Sequence, residues 1–380
     1  MIRTLITISL ILFSLSFESR IAAKKSPQTA KKSAPNPNIG KVKAIWEPIS
    51  YKEDVKFTDV LFVNDKVGWV TGSVEFSKGG VILHTRDGGD NWTIQLGDLQ
   101  SSERAYTQLR VVNETTIFAA QGDDSGDHNL LRTTDGETWE VCGALPEHRG
   151  DYTFISPTVG FVSPSQEIRR TQDAGRTWKR VLACEAQVEI QGLMRNVKCG
   201  IDSFHFPSSR VGYALGYSYD ATAVYVARTE DAGVSWKVWA VLPGETGREG
   251  DVFFTDENTG FIRVQGGKFF TTSDGGQTWR GIPGTDGSGK PEIKFAGREV
   301  GWSVGPYGPF NYTFDGGKRW AVRRIKFPTD VSAFSLPSRN RGYVVGEHGM
   351  IFRYRIVPVD YTVRGMIDAP VMGGGAPPAR

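Results

Sequence analysis

The side chains most able to do chemistry in this chain are aspartates, and one set of them recurs in a fixed setting. Thr85-Arg86-Asp87-Gly88-Gly89-Asp90-Asn91-Trp92 returns as TQDAGRTW (Thr171 to Trp178), TEDAGVSW (Thr229 to Trp236), TSDGGQTW (Thr272 to Trp279) and TFDGGKRW (Thr313 to Trp320). One residue short, it also appears as TTDGETW (Thr133 to Trp139). Carboxylates of this kind could act as acids, bases or metal ligands. Their repetition points elsewhere. Asp tolerates tight backbone geometry and accepts hydrogen bonds from nearby amides. Gly supplies positive φ, and Trp brings a large apolar area to bury. Asp87, Asp135, Asp173, Asp231, Asp274 and Asp315 are therefore read as clips of strand–turn–strand units. Trp92, Trp139, Trp178, Trp236, Trp279 and Trp320 each open the next strand.

Other chemistry-bearing residues are sparse. Asp123, Asp124, Asp127 and His128 form the nearest thing to a metal or acid–base cluster, and a solvated acidic loop is the preferred reading. The chain has three cysteines, without metal-site spacing. Cys184 and Cys199 flank the longest segment between units, Leu182 to Asp202, and are the natural disulfide pair in an exported chain. Cys142 is left as a half-buried strand thiol. No cofactor and no metal are expected.

The recurring element, Ser/Thr-x-Asp-x-Gly-x-x-Trp, is the Asp-box. Its aspartates stand 48, 38, 58, 43 and 41 residues apart. A period near 40–50 with Gly and Trp punctuation signals a β-propeller, one four-stranded blade per repeat. A second motif precedes each box: an apolar strand, a polar turn, then Gly-aromatic and another strand. It starts at Asp59, Gln108, Asp151, Ser203, Asp251, Glu292 and Ala333. That makes seven copies against six boxes. The seventh copy runs on through Ile351-Phe352-Arg353-Tyr354 without a box, while Ala44-Ile45-Trp46 resembles the strand that comes after a box. The fold class expected is all-β, a seven-bladed propeller of four-stranded antiparallel blades, the last closed by the N-terminal strand. Aligned on Trp69, Phe118, Phe161, Tyr213, Phe261, Trp302 and Tyr343, the copies carry an apolar column seven residues earlier, from Phe62 and Val111 to Leu336, expected to pack blade on blade. The column ten residues earlier is largely acidic and predicts a polar collar at one mouth of the central channel.

Residues 1–23 read as a signal peptide, with an apolar run over 4–17 too short for a membrane span. No Cys marks a lipoprotein anchor there. Residues 24–43 read as a disordered basic linker, 44–357 as the propeller and 358–380 as a flexible tail. The chain is thus expected to be exported, to periplasm, thylakoid lumen or the exterior. Net charge is +3 with mixed signs, and no basic block lies on the repeats, which argues against nucleic-acid binding.

In such blades the boxes occupy one face. The loops between second and third strands, and between blades, occupy the other, where propellers bind. Candidate partner-binding residues there are Arg104, Tyr106, Asp124, Asp127, His128, Arg149, Tyr217, Tyr219, Arg248 and Tyr307. The mixture suits a protein partner, possibly a membrane-complex subunit, with a glycan as the alternative, and the chain is expected to act as a monomer.

With VGWVTG (Val67 to Gly72) and ILHTRDGGDNW (Ile82 to Trp92) and their repeats in place, residues 44–356 resemble the photosystem II stability and assembly factor family of cyanobacteria and plastids. That resemblance implies an exported, non-enzymatic seven-bladed scaffold that binds membrane-complex subunits. The chain departs from the cyanobacterial pattern in lacking a lipoprotein Cys, in its Cys184–Cys199 segment and in its shortened second box. Sialidases also carry Asp-boxes, but they need an arginine trio, a Tyr/Glu pair and an Arg-Ile-Pro motif, and no Arg-Ile-Pro occurs here. A glycan-binding or sialidase-like propeller is the alternative reading.

Overall fold

The computed structural model describes residues 42–358, apart from 75–78, 101–103, 124–127, 147–150, 165, 191–192, 219–222, 244–249, 265–267, 283–291 and 305–309. Short alternating apolar segments separated by Gly- and Asp-rich turns can bury one another only as antiparallel strands. Among the described residues they do so as seven antiparallel sheets, six of four strands and one of five, each with a four-stranded blade running from an inner strand at the channel to an outer strand at the rim. Blade 1 comprises Lys56–Phe62, Gly68–Ser73, Val81–Thr85 and Thr93–Gly97. Blades 2 to 6 come next in chain order, and their inner strands are Arg104–Val111, Tyr152–Phe154, Leu193–His205, Gly250–Phe254 and Glu292–Ala296.

Blade 7 closes the ring. Its inner three strands are Val331–Ser338, Arg341–Gly346 and Ile351–Pro358, and its outer strand is Val42–Pro48 from the other end of the chain. Trp46 lies opposite Tyr354 in this pairing and packs against Trp302, Phe310, Phe327 and Tyr354. It fills the place that a box Trp fills in other blades. Glu47 adds ion pairs to Arg353 (2.5 Å) and Arg355 (2.7 Å), and Arg353 reaches on to the Gly88 carbonyl and Asp90 of blade 1. The closing strand begins at Val42, two residues before the boundary expected from the sequence.

The core is a ring of interfaces between neighbouring blades. Each apolar cluster spans a junction; one combines Phe57, Val60 and Phe62 of blade 1 with Ala333, Tyr343 and Val345 of blade 7. At five junctions the second-strand aromatic of one blade stacks on the inner-strand Phe of the next. The pairs are Tyr343–Phe62 (3.5 Å between centroids), Phe118–Phe154 (3.7 Å), Phe161–Phe206 (4.9 Å), Tyr213–Phe254 (3.5 Å) and Phe261–Phe295 (5.1 Å). The box Trp of the same blade meets that Phe edge-on, as Trp92 meets Phe62 and Trp279 meets Phe254. Both geometries suit the ring quadrupole.

The stack explains the Gly of the Gly-aromatic motif. A Cβ at Gly68 would lie 2.5 Å from the Phe62 ring, and one at Gly212 would lie 2.3 Å from Phe206. Blade 2 is the exception to the apolar column. Ile117 stands where the other blades have Gly, it is fully buried, and it takes the room of a ring. Val111, expected to pack between blades, is 45% exposed.

This packing generates two stability tests. Phe254→Ala should cost about 3–5 kcal/mol, and Gly212→Ala about 1–3 kcal/mol by overpacking, both read from chemical denaturation. A Gly212→Ala protein of unchanged stability would show that the ring above it is not held in place.

Candidate functional site

The boxes share one hydrogen-bond scheme. The Thr hydroxyl donates to the Asp carboxylate and accepts from a glycine amide three or four residues on; for Thr272 these are Asp274 Oδ1 at 2.7 Å and Gly276 N at 3.0 Å. The same carboxylate accepts the Thr278 amide at 3.0 Å and the Thr278 hydroxyl at 2.6 Å. Asp87, Asp173, Asp231 and Asp315 repeat this with Asn91, Thr177, Ser235 and Arg319 as the partner. The short box works too: Asp135 accepts the amides of Glu137 and Thr138, both at 2.8 Å.

These bonds favour the charged form. The Thr177 hydroxyl and amide bring Asp173 down to about 2, those of Thr278 do the same for Asp274, and the Arg319 side chain and amide do so for Asp315. Two boxes carry Ala where the others carry the first Gly, and Ala174 (φ 61°) and Ala232 (φ 57°) are held in the left-handed region.

At the other end of the inner strands the acidic column stitches blades together. Asp59 accepts the amide of Leu109 in blade 2 at 2.8 Å, Asp151 that of Phe204 in blade 4 at 3.3 Å, and Asp251 that of Ile293 in blade 6 at 2.7 Å. Ser203 does the same for Val252. Arg110 lies between Asp151 (2.6 Å) and Asp59 (3.7 Å). Burial works against its charge, but the two carboxylates outweigh burial and hold it firmly protonated. The channel inside is about 690 Å³.

Two residues beyond the acidic column, the ring Leu61, Arg110, Thr153, His205, Phe253, Lys294 and Ser335 lines this channel. Its residue types vary from blade to blade, so this column carries no signal in the sequence. Burial brings His205 down to about 4, and its Nδ1 accepts the Phe254 amide at 3.1 Å. The imidazole is therefore neutral, with its proton on Nε2. Lys294 donates to the Phe334 carbonyl at 2.5 Å and lies 3.3 Å from Glu292.

The loop face gathers only some of the candidate residues. Arg104 is exposed and donates to Gln121 (3.3 Å), which also accepts from Asn129 (3.0 Å). His128 is half-buried beside Gly122, and Tyr217 is half-buried near the end of the second strand of blade 4. Tyr106 is not a surface residue: at 3% exposure it packs with Leu109 and Ile82 between blades 1 and 2. Its strand is irregular between Thr107 and Arg110, which lets Tyr106 and Leu109, three residues apart, both turn to the core. Asp124, Asp127, Arg149, Tyr219, Arg248 and Tyr307 lie outside the described residues. Among the described residues no group of three or more His, Cys, Asp or Glu is arranged to hold a metal. Cys142 is buried, and burial pushes its thiol up to about 11.

The segment expected as a long loop is instead a hairpin. Glu185–Ile190 pairs with the first part of Leu193–His205, which continues as the inner strand of blade 4. A disulfide between Cys184 and Cys199 closes its root.

This ring, with its repeated clips, is a seven-bladed propeller of the Asp-box class. Within that class the chain resembles the photosystem II assembly factors: residues 40–213 match the family described as Photosynthesis system II assembly factor YCF48. It is 24% identical over 333 residues to photosystem II assembly lipoprotein Ycf48 of Picosynechococcus sp., which covers 81% of this chain and 87% of that one. It is 22% identical over 351 residues to the chloroplastic photosystem II stability/assembly factor HCF136 of Oryza sativa subsp. japonica, with 81% and 82% covered. The solved structure of YCF48 bound to D1 peptide aligns with a TM-score of 0.56 at 19% identity, over 82% of this chain and 96% of that one. That likeness concerns the fold.

The clips yield three predictions. Asp274→Ala should lower stability by about 1–2 kcal/mol, as for a lost turn or cap bond, whereas Ala232→Gly should raise it by about 0.5–1 kcal/mol by relieving the left-handed Ala. Because the folded carboxylates titrate below their ordinary 3.8, their stabilisation is complete above about pH 4 and is lost as pH falls toward 2. Thermal melts stepped from pH 5 to 2 should show Asp274→Asn losing less stability on acidification than the parent.

Proposed function

We propose that this protein is an exported, non-enzymatic scaffold that holds a subunit of a membrane complex on its loop face during assembly, with photosystem II subunits as the partner class. The leader at residues 1–23 would direct export, and the segments 24–43 and 358–380 would flank the working ring. One observation carries the reading. The clip carboxylates, and Asp59, Asp151 and Asp251 of the collar, are bound to the protein's own amides, so they serve architecture and not a reaction. The similarity to named assembly factors supports the same direction. Arg104, His128 and Tyr217 are the described loop-face residues in this reading, and a single ring acting as a monomer suffices.

In-cell cross-linking of the tagged mature chain, followed by mass spectrometry, should enrich membrane-complex subunits. Recovery of no protein partner, together with binding in a sugar screen, would replace this reading with the glycan one.

A further inference from the structure

The junction between blades 1 and 2 is fastened differently from the five that carry an aromatic stack. Val111 stands where those have a Phe, and it is 45% exposed. A polar clamp supplements the apolar contacts there. Gln95, on the outer strand of blade 1, accepts two indole N–H groups on Oε1: that of Trp69 at 2.9 Å and that of Trp139, the box Trp of blade 2, at 3.0 Å. Its Nε2 donates to the Gly136 carbonyl in the short box at 3.0 Å and lies 3.0 Å from Nδ1 of His84. His84 is buried and stacks on Trp69, with 4.8 Å between ring centroids.

This clamp has one satisfied arrangement. An indole N–H can only donate, so Oε1 of Gln95 must face the two tryptophans. The amide nitrogen then faces His84. Nδ1 is therefore an acceptor, and the ring proton sits on Nε2, which is itself buried and has no partner among the described residues. A proton added to Nδ1 would set two donors against each other. Turning the carboxamide over does not repair this, because it points NH2 at both indoles and Oε1 at the Gly136 carbonyl.

We propose that His84 makes this junction an acid-sensitive clasp: its protonation unseats Gln95 and loosens the short box of blade 2 from blade 1. The proposal does not depend on the assembly-factor reading. Burial holds the His84 pKa below its ordinary 6.5, against the pull of Glu137 and with the push of Arg86. Glu137 belongs to the short box, and Arg86 is its ion-pair partner across the junction. The clasp is at full strength above about pH 6.5 and weakens as pH falls toward the lowered folded value. The box aspartates Asp173, Asp274 and Asp315 titrate near 2, so acidification to about pH 5 leaves them charged.

The test is hydrogen–deuterium exchange read by mass spectrometry on the full chain at about pH 7.5 and about pH 5, corrected for intrinsic exchange rates. Protection over residues 93–97 and 133–139 should fall about tenfold on acidification, while the blade 5 box, residues 272–279, should keep its protection. His84→Phe retains a ring against Trp69 and cannot titrate, so the fall should vanish. Gln95→Glu keeps the test decisive if that variant does not fold. Its carboxylate accepts both indoles and pairs with a protonated His84, so protection should no longer fall toward pH 5. His205, the other neutral imidazole, bonds to the Phe254 amide at blades 4 and 5. An equal fall in every blade would assign the acid response to His205 or to the ring as a whole and overturn the clasp. Unchanged protection of the two segments in the parent, or a fall that persists in His84→Phe or Gln95→Glu, would overturn it as well.

Discussion

The contact on which this ring depends is the overlap of an aromatic from one blade with a Phe from the next. Five junctions use it, and it sets several other choices in the chain. It requires a Gly beneath the Phe ring, because any Cβ there would collide. It requires the box Trp to approach edge-on, which fixes where the outer strand can start. Where the Phe is missing, other residues fill the junction: Leu109, Ile117 and Tyr106 between blades 1 and 2, and Trp46 with Trp302 and Tyr354 between blades 6 and 7. Stability therefore resides between blades, so no blade carries a complete core. The ring stands only when it closes, and the pairing of Val42–Pro48 with Ile351–Pro358 completes it.

Charge is handled by the same logic at both ends of each blade. On one face a Thr–Asp pair gathers the amides of its own turn. At the channel an acidic or hydroxyl side chain takes an amide of the neighbouring blade. Buried or turn-bound amides need acceptors, and a carboxylate supplies them strongly. Among the described residues, the box aspartates and Asp59, Asp151 and Asp251 are taken up by the architecture.

The hairpin of blade 4 shows how such a ring acquires something particular. A continuous strand, Leu193–His205, serves first as one arm of the hairpin and then as the wall of the channel. The disulfide lies where the two roles meet. The ring thereby gains an arm without disturbing the interfaces on either side of the blade.

Local sequence was enough to set the number of blades, the closing strand and the place of Trp46. These depend on repeated short-range signals: a clip needs Asp and Gly at fixed offsets, and a strand needs alternation. The sequence also marked the acidic column as a collar. It did not reveal that those side chains reach across to the next blade, nor that Arg110, His205 and Lys294 share the channel with them, because partners about 40–50 residues away come together only through ring curvature. It placed Tyr106 on the surface and Leu182 to Asp202 in a loop. Packing against Leu109 and Ile82 drew the first inward, and pairing of Glu185–Ile190 with Leu193–Lys198 ordered the second. Local turn chemistry is written in neighbouring residues, whereas contacts between blades are settled only when the sheets are set side by side.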